Sequence, residues 1–410
     1  MSVTSVNNQS KKTPIGFAEF VALLALTMSL VALSIDTILP ALPMIGEDYN
    51  LDRLNDQQFM ITALFAGLSI GQLIAGPLSD SIGRKSSIFI GLAIFAAGTI
   101  ISYFSTDYNW MLAGRFIQGL GASAPRIVSI AMVRDRYVGR DMARVMSYVL
   151  GVFILVPILA PAVGLAVIKV ADWRSIFILY LVIAGIIFLW GYSRLEETMA
   201  VEDRKAFRLP VIWHGLVTVC TNRMTICYTV AAGFAFGALL GYVNTAQQIF
   251  QNYYKVGDMF ALYFAVGAIS LGVSFFVNGN IVRKLGMRFV VLRSMITLLV
   301  SALAFIFFET FIMPEVPLFA FLLFIVVSSF CLGLCFGNFN ALAMMPMGHI
   351  AGMASAVIGA VSLVFAIAIS SAVGQFYDGN LYSLSAGFLA ASILSILMIK
   401  LAEPGDQDAS

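Results

Sequence analysis

The chain has 410 residues, 60% of them hydrophobic and 11% charged, with a mean hydropathy of +0.93 and a net charge of +2. Soluble chains are about 45–50% apolar and about a quarter charged, so this composition excludes a soluble domain and predicts an integral membrane protein. At roughly 20 apolar residues per crossing, this length with short loops admits about a dozen transmembrane helices.

The first fifteen residues are polar, carry Lys11 and Lys12, and lead into an apolar stretch too long for a signal peptide, so the amino end is expected to stay inside. Twelve spans are predicted: Gly16–Leu39, Phe59–Ser79, Ser86–Phe104, Trp110–Val133, Ala143–Val170, Arg174–Tyr192, Met224–Phe250, Met259–Asn278, Phe289–Phe308, Leu318–Asn340, Ala351–Phe376 and Leu384–Leu401. The predicted fold is an all-α membrane protein of twelve transmembrane helices in two pseudo-symmetric six-helix bundles, residues 1–192 and 224–410, joined by a cytoplasmic linker, 193–223. Of the 24 Lys and Arg, 18 fall in the even loops and chain ends and 4 in the odd loops, which predicts that both termini are cytoplasmic. The linker has a mixed charged run, Glu196–Arg208, and then a more apolar stretch from Leu209; it reads as a solvated connector, partly a helix along the inner membrane face. His214 and His349 fall in inner loops, away from any proton path through the membrane, and Cys220, Cys227, Cys331 and Cys335 read as small apolar side chains.

Between the second and third spans runs GPLSDSIGRK, Gly76–Lys85. Gly76 and Gly83 permit turn conformations, Pro77 lacks an amide donor, and Asp80 is spaced to bond nearby backbone or Arg84. A degenerate copy, GNIVRKLGMR, follows 203 residues later, with Gly279, Gly286 and Arg288 matching Gly76, Gly83 and Lys85, and Arg283 standing where Asp80 would be. Similarity at half the chain length is the pattern of a duplicated transporter. The first run resembles the loop between the second and third helices of the major facilitator superfamily.

Charges at lipid depth are costly and are functional candidates. The sequence places one acid, Asp36, and two bases, Arg115 and Arg126, well inside spans, with Glu19 and Glu309 at span ends. The first span runs outward and the fourth inward, so Asp36 and Arg115 are expected at similar heights, able to pair if their helices are adjacent. Arg126 lies roughly 16 Å deeper. Arg115, Gly119, Ala122 and Arg126 share one helical face, which is expected to line a wet cavity. An acid whose distance from a cation and access to water both change can exchange a proton.

SIDTILPALP (Ser34–Pro43), GRFIQGLGASA (Gly114–Ala124), MVRDRY (Met132–Tyr137), VPILAPAVG (Val156–Gly164), DWRSIF (Asp172–Phe177) and LEET (Leu195–Thr198) together resemble the Bcr/CflA branch of the drug:proton antiporters of the major facilitator superfamily. The resemblance implies a twelve-helix exporter with alternating access, proton coupling through Asp36 and Arg115, and gating by Gly76, Asp80, Gly83 and Arg84, with Arg283 in the second copy. The fifth span resembles the branch's antiporter motif at Pro161 and Gly164, and Pro157 adds a second bend point; Ala160 and Leu165 depart from it. Met28 stands where some relatives have a second acid, and Arg126 lies one turn before the usual arginine position, here Ile130.

In the second half, Phe236, Tyr242, Asn244, Gln247 and Gln248 of the seventh span, with Phe336, Asn338 and Asn340 of the tenth, suit an aromatic cavity with sparse amides, joined by Ala122 and Arg126. The expected function is proton-coupled efflux, across the bacterial inner membrane, of neutral or amphipathic antibiotics of the chloramphenicol or bicyclomycin kind. The rival is a specific carrier of an organic anion, metabolite or siderophore with Arg126 as carboxylate clamp. Expected partners are a small-molecule drug or metabolite, protons and the lipid bilayer. No cofactor, metal or nucleic acid is expected, the chain is expected to act as a monomer, and no nucleophile, metal or phosphate-loop pattern points to an enzyme.

Overall fold

The structure is a computed structural model and describes residues 15–137 and 139–402. Each predicted span corresponds to a helix. α1 (Phe17–Asp36) stops where Pro40 and Pro43 remove amide donors, and the chain continues as a tight turn and the short α2 (Leu42–Asp48). α3 (Phe59–Ile82), α4 (Arg84–Tyr103), α5 (Tyr108–Arg136), α6 (Gly139–Val170) and α7 (Ser175–Arg194) complete the first six crossings. The linker carries α8 (Leu209–Thr221). The last six are α9 (Arg223–Gln248), α10 (Phe260–Leu285), α11 (Met287–Phe307), α12 (Leu318–Met344), α13 (Ala351–Gln375) and α14 (Tyr382–Ala402). Eleven of these crossings are long and apolar enough over the described residues. α6 supplies the twelfth: its 32 residues exceed the bilayer thickness and its half from Leu155 to Val170 is apolar.

The tight turn expected over Gly76–Lys85 is confined to one residue. α3 continues through Pro77 to Ile82, and the whole reversal is made at Gly83, with φ 100° and ψ 160°. Its counterpart Gly286 makes the same reversal between α10 and α11 with φ 79° and ψ 155°. Only glycine adopts this region without strain, so the repeat is visible in backbone geometry where the side chains have diverged.

Helices approach closely where side chains are absent. A methyl group on Gly67 would overlap the Phe116 carbonyl, and one on Gly119 the Leu64 carbonyl, which locks α3 to α5. Gly164 of α6 lies in the same way against the Thr37 carbonyl, just past the end of α1. Large apolar side chains such as Ile70, Ile90, Leu189 and Phe276 point outward, as a lipid-facing surface requires.

The two sets of six helices meet along α3 with α13 and α6 with α10. The face bearing the start of α1, Gly83 and the end of α14 is the terminal face; the opposite one is distal. At the distal face the seam is closed by amides. Gln58 donates to Gln248 at 2.8 Å, Gln248 to Asn55 Oδ1 at 3.0 Å, and Asn55 to the Tyr377 carbonyl at 2.7 Å. Further in, Ser69 Oγ donates to the Ala360 carbonyl at 2.9 Å.

Candidate functional site

α1 ends at Asp36, so the last carbonyls of the helix need donors from elsewhere. Arg115 of α5 supplies one: its Nη2 donates to the Ser34 carbonyl at 2.9 Å, and the Tyr180 hydroxyl of α7 donates to the same oxygen at 3.3 Å. Arg115 also donates from Nε to the Met60 carbonyl at 3.3 Å and from Nη1 to Gln118 Oε1, and Gln118 donates on to Thr99 Oγ1 at 2.9 Å. The fully buried guanidinium thus ties together α1, α3, α4, α5 and α7, a cation placed where the α1 dipole is negative.

The expected pairing of Asp36 with Arg115 is not present. Their helices are adjacent, but the arginine donors are taken by backbone and amide oxygens. Asp36, only 6% exposed, has no hydrogen bond or ion pair among the described residues. Tyr180 of its own half and Tyr242 of α9 are within electrostatic reach, so the acid lies toward the seam between the halves.

The shared face of α5 is not a continuous wet wall either. Arg115 and Ala122 are buried in helix packing and Gly119 abuts α3. Of that face only Arg126 keeps partial exposure, and it has no partner among the described residues. Across the seam, Tyr242, Asn244 and Gln247 are buried, with the Tyr242 hydroxyl, Asn244 Oδ1 and Gln247 Oε1 unpartnered. Phe236 joins the halves, edge-on to Phe65 of α3 at 6.0 Å and to Phe336 of α12 at 5.5 Å. Asn338 is committed within the second half, donating to Asn278 at 2.8 Å and to the Leu334 carbonyl at 2.7 Å, and Asn340 is exposed.

On the terminal face, Arg84 is 4% exposed and bonds Asp80 at 2.6 Å, Asp135 at 2.8 Å and Ser79 Oγ at 2.6 Å. The linker joins this cluster. Glu197 accepts the Arg84 and Lys85 amides at 2.8 and 3.1 Å, capping α4, and the Lys205 amide donates to the Asp80 carbonyl at 2.9 Å. Residues 195–205 are therefore docked on the reversal between α3 and α4 and are not a free connector. Gly76 lies against Ala356 of α13, and Arg283 is exposed with no ion pair among the described residues. In α6, Pro157 is half-buried and Pro161 buried beside the Gly164 contact. His214 is exposed on α8; the side chain of His349 and Lys11 and Lys12 lie outside the described residues. No cluster of three or more metal-ligating side chains occurs among the described residues.

Sequence reasoning missed Gln118, Tyr180, Phe65, Glu197 and the partners of Gln248, namely Gln58 and Asn55. Polar residues inside apolar spans were the available signal for Gln118 and for Gln72, whose Nε2 is buried and unpartnered, while Gln58 falls one residue before the second predicted span.

Membrane-spanning helices with a matched reversal in each half, and a buried acid toward the seam without a partner among the described residues, fit the architecture of a membrane transporter. The chain belongs to the Major Facilitator Superfamily, whose profile matches residues 24–374. It is 29% identical over 281 residues to the bicyclomycin resistance protein homolog of Haemophilus influenzae, covering 68% of this chain and 69% of that one. It is 26% identical over 377 residues to the multidrug resistance protein MdtL of Shigella dysenteriae serotype 1, covering 90% and 92%. Among solved structures, the xylose transporter XylE from E. coli, in a partially occluded inward open conformation, superposes with a TM-score of 0.71 at 13% identity, covering 94% of this chain and 96% of that one.

Proposed function

We propose that this protein is a drug:proton antiporter of the bacterial inner membrane, with both termini cytoplasmic, exporting neutral or amphipathic antibiotics by alternating access. The observation that carries the reading is Asp36: a buried carboxylate without a partner, at the end of α1, toward the seam. An isolated charge there is costly, and a proton removes the cost. In the proposed cycle a proton from the distal side neutralises Asp36, the halves rock, and its loss to the cytoplasm resets the protein. Arg115 is a positioning residue in this cycle: it fixes the last turn of α1 and so the place of Asp36. The Phe65–Phe236–Phe336 wall and the free oxygens of Tyr242, Asn244 and Gln247 suit amphipathic cargo. The relatives named for bicyclomycin and multidrug resistance support this cargo class.

The test is drug export and collapse of an imposed pH gradient in vesicles. Asp36→Asn is expected to abolish both while the protein still folds; undiminished uphill export would exclude the reading. The unpartnered Arg126 favours a second reading, a carrier of organic anions. In the same assay Arg126→Ala abolishes transport of every cargo if the guanidinium is an obligatory clamp, and only alters the drug spectrum if it is not.

A further inference from the structure

The proposed cycle leaves one buried acid unused. Glu309 lies in the last turn beyond α11, at the distal face, and is 9% exposed. Its Oε1 accepts the Leu381 amide at 3.1 Å, just before α14, so the ionised form is supported by a backbone donor and by the helix amino terminus. Its Oε2 is buried with no partner among the described residues. The hydroxyls of Tyr254 and Tyr377 in the same region are also buried and unpartnered. The groups that reach Glu309 electrostatically are Asp378 of the turn before α14 and Tyr253 and Tyr254 after α9; Tyr377 and Glu315 stand next to these. None is a cation, and no Lys, Arg or His pairs with Glu309 among the described residues. A carboxylate with one oxygen satisfied and the other orphaned among acids and phenols has support for both of its protonation states.

A cavity of about 330 Å³ opens between α13 and α14; its lining is mostly apolar and does not include Glu309, but four residues of the turn that Glu309 holds or of its flanks, Asp378, Asn380, Tyr382 and Ser383, reach it, so the turn has space to move into. Leu381, whose amide Glu309 holds, falls between the second and third of these. The same turn carries the distal seam, because Asn55 of the first half donates to the Tyr377 and Gln375 carbonyls at 2.7 and 3.3 Å.

We infer that Glu309 is a second proton-binding site at the distal face, and that its protonation loosens the turn that holds Asn55 and so opens the distal seam. The coupling rests on the antiport reading; the proton site does not. When Oε1 holds a carboxylate charge it grips the Leu381 amide. When the proton arrives on Oε2 the acceptor weakens, the 376–381 turn relaxes, and the bonds to Asn55 lose their support.

The test uses the full chain in lipid nanodiscs, with infrared difference spectra recorded between about pH 8 and about pH 6, a window in which an exposed glutamate stays ionised. Wild type is expected to show a protonated-carboxyl band that is lost in Glu309→Gln and kept in Asp36→Asn. Gln offers the Leu381 amide only a neutral oxygen, a weaker acceptor that stands for the protonated state without emptying the site, and Tyr377→Phe is expected to shift the band without abolishing it. A spectrum of Glu309→Gln identical to wild type overturns the proposal whatever becomes of Asp36. For the seam, in a chain whose Cys220, Cys227, Cys331 and Cys335 are replaced by alanine, Asn109→Cys in the first turn of α5 serves as a control position, and Gln57→Cys reports opening to a membrane-impermeant maleimide. Labelling at position 57 is expected to rise severalfold on acidification in wild type and to be high at both pH values in Glu309→Gln. Labelling of Glu309→Gln that keeps the wild-type pH response refutes the coupling to the seam.

Discussion

Arg115 illustrates how a buried charge can be structural without an opposite charge. Its donors meet the Ser34 and Met60 carbonyls and Gln118, three acceptors on three helices. A planar fork serves divergent acceptors that a point charge cannot. Arg115→Ala leaves buried acceptors unpaired, at about 1–3 kcal/mol each, and is expected to cost at least about 3 kcal/mol of stability. Arg115→Lys should fall between. Thermal unfolding in detergent checks this against Asp36→Asn, which removes no bond and is expected to unfold as wild type does. A normal melting temperature for Arg115→Ala would remove the positioning role. The sequence made these two residues candidates by their place inside spans, and both are buried; what it could not supply was the azimuth of the guanidinium, which is set by carbonyls freed at the end of α1, and carbonyl positions leave no mark in the residue pattern.

At the scale of elements, the helices were legible because twelve long apolar runs have only one use in a bilayer, and the boundaries followed Pro, Gly and charge. The glycine pair Gly83 and Gly286 was legible as a repeat, although its two flanking helices run closer together than a loop reading suggests. The linker was misread because mixed charge looks the same whether solvated or docked. Glu197 is the difference: its carboxylate takes the two amides at the start of α4 that no helical carbonyl can reach. Removing such a cap costs about 1 kcal/mol. Glu197→Ala is therefore expected to destabilise the protein by about that amount and to raise proteolytic nicking between residues 195 and 205, with Glu197→Gln milder in both. Equal nicking in wild type and Glu197→Ala would mean that the linker is held by its other bonds alone.

For the whole molecule the question is what keeps the distal side shut. The charged cluster of Asp80, Arg84 and Asp135 on the terminal face lies wholly within the first half, while the distal seam is crossed by Asn55, Gln58, Gln248 and main-chain carbonyls. An intramolecular hydrogen bond is worth about 1 kcal/mol net, and about 1.4 kcal/mol shifts a two-state population tenfold. Removing Gln58 breaks the bond to Gln248 and leaves Gln248 to satisfy itself elsewhere, so Gln58→Ala is expected to raise the distal-open population by roughly fivefold to tenfold. Because neither partner carries charge, that gain should be the same at acidic and neutral pH and insensitive to salt, unlike a shift driven through Glu309. Impermeant labelling of a cysteine at position 57, in wild type and Gln58→Ala at two pH values and two salt concentrations, measures it. A gain that vanished in high salt would show that charges, and not amides, close this side. A gain of the predicted size that persisted would show that neutral amides, indifferent to ions, hold the distal side of the seam.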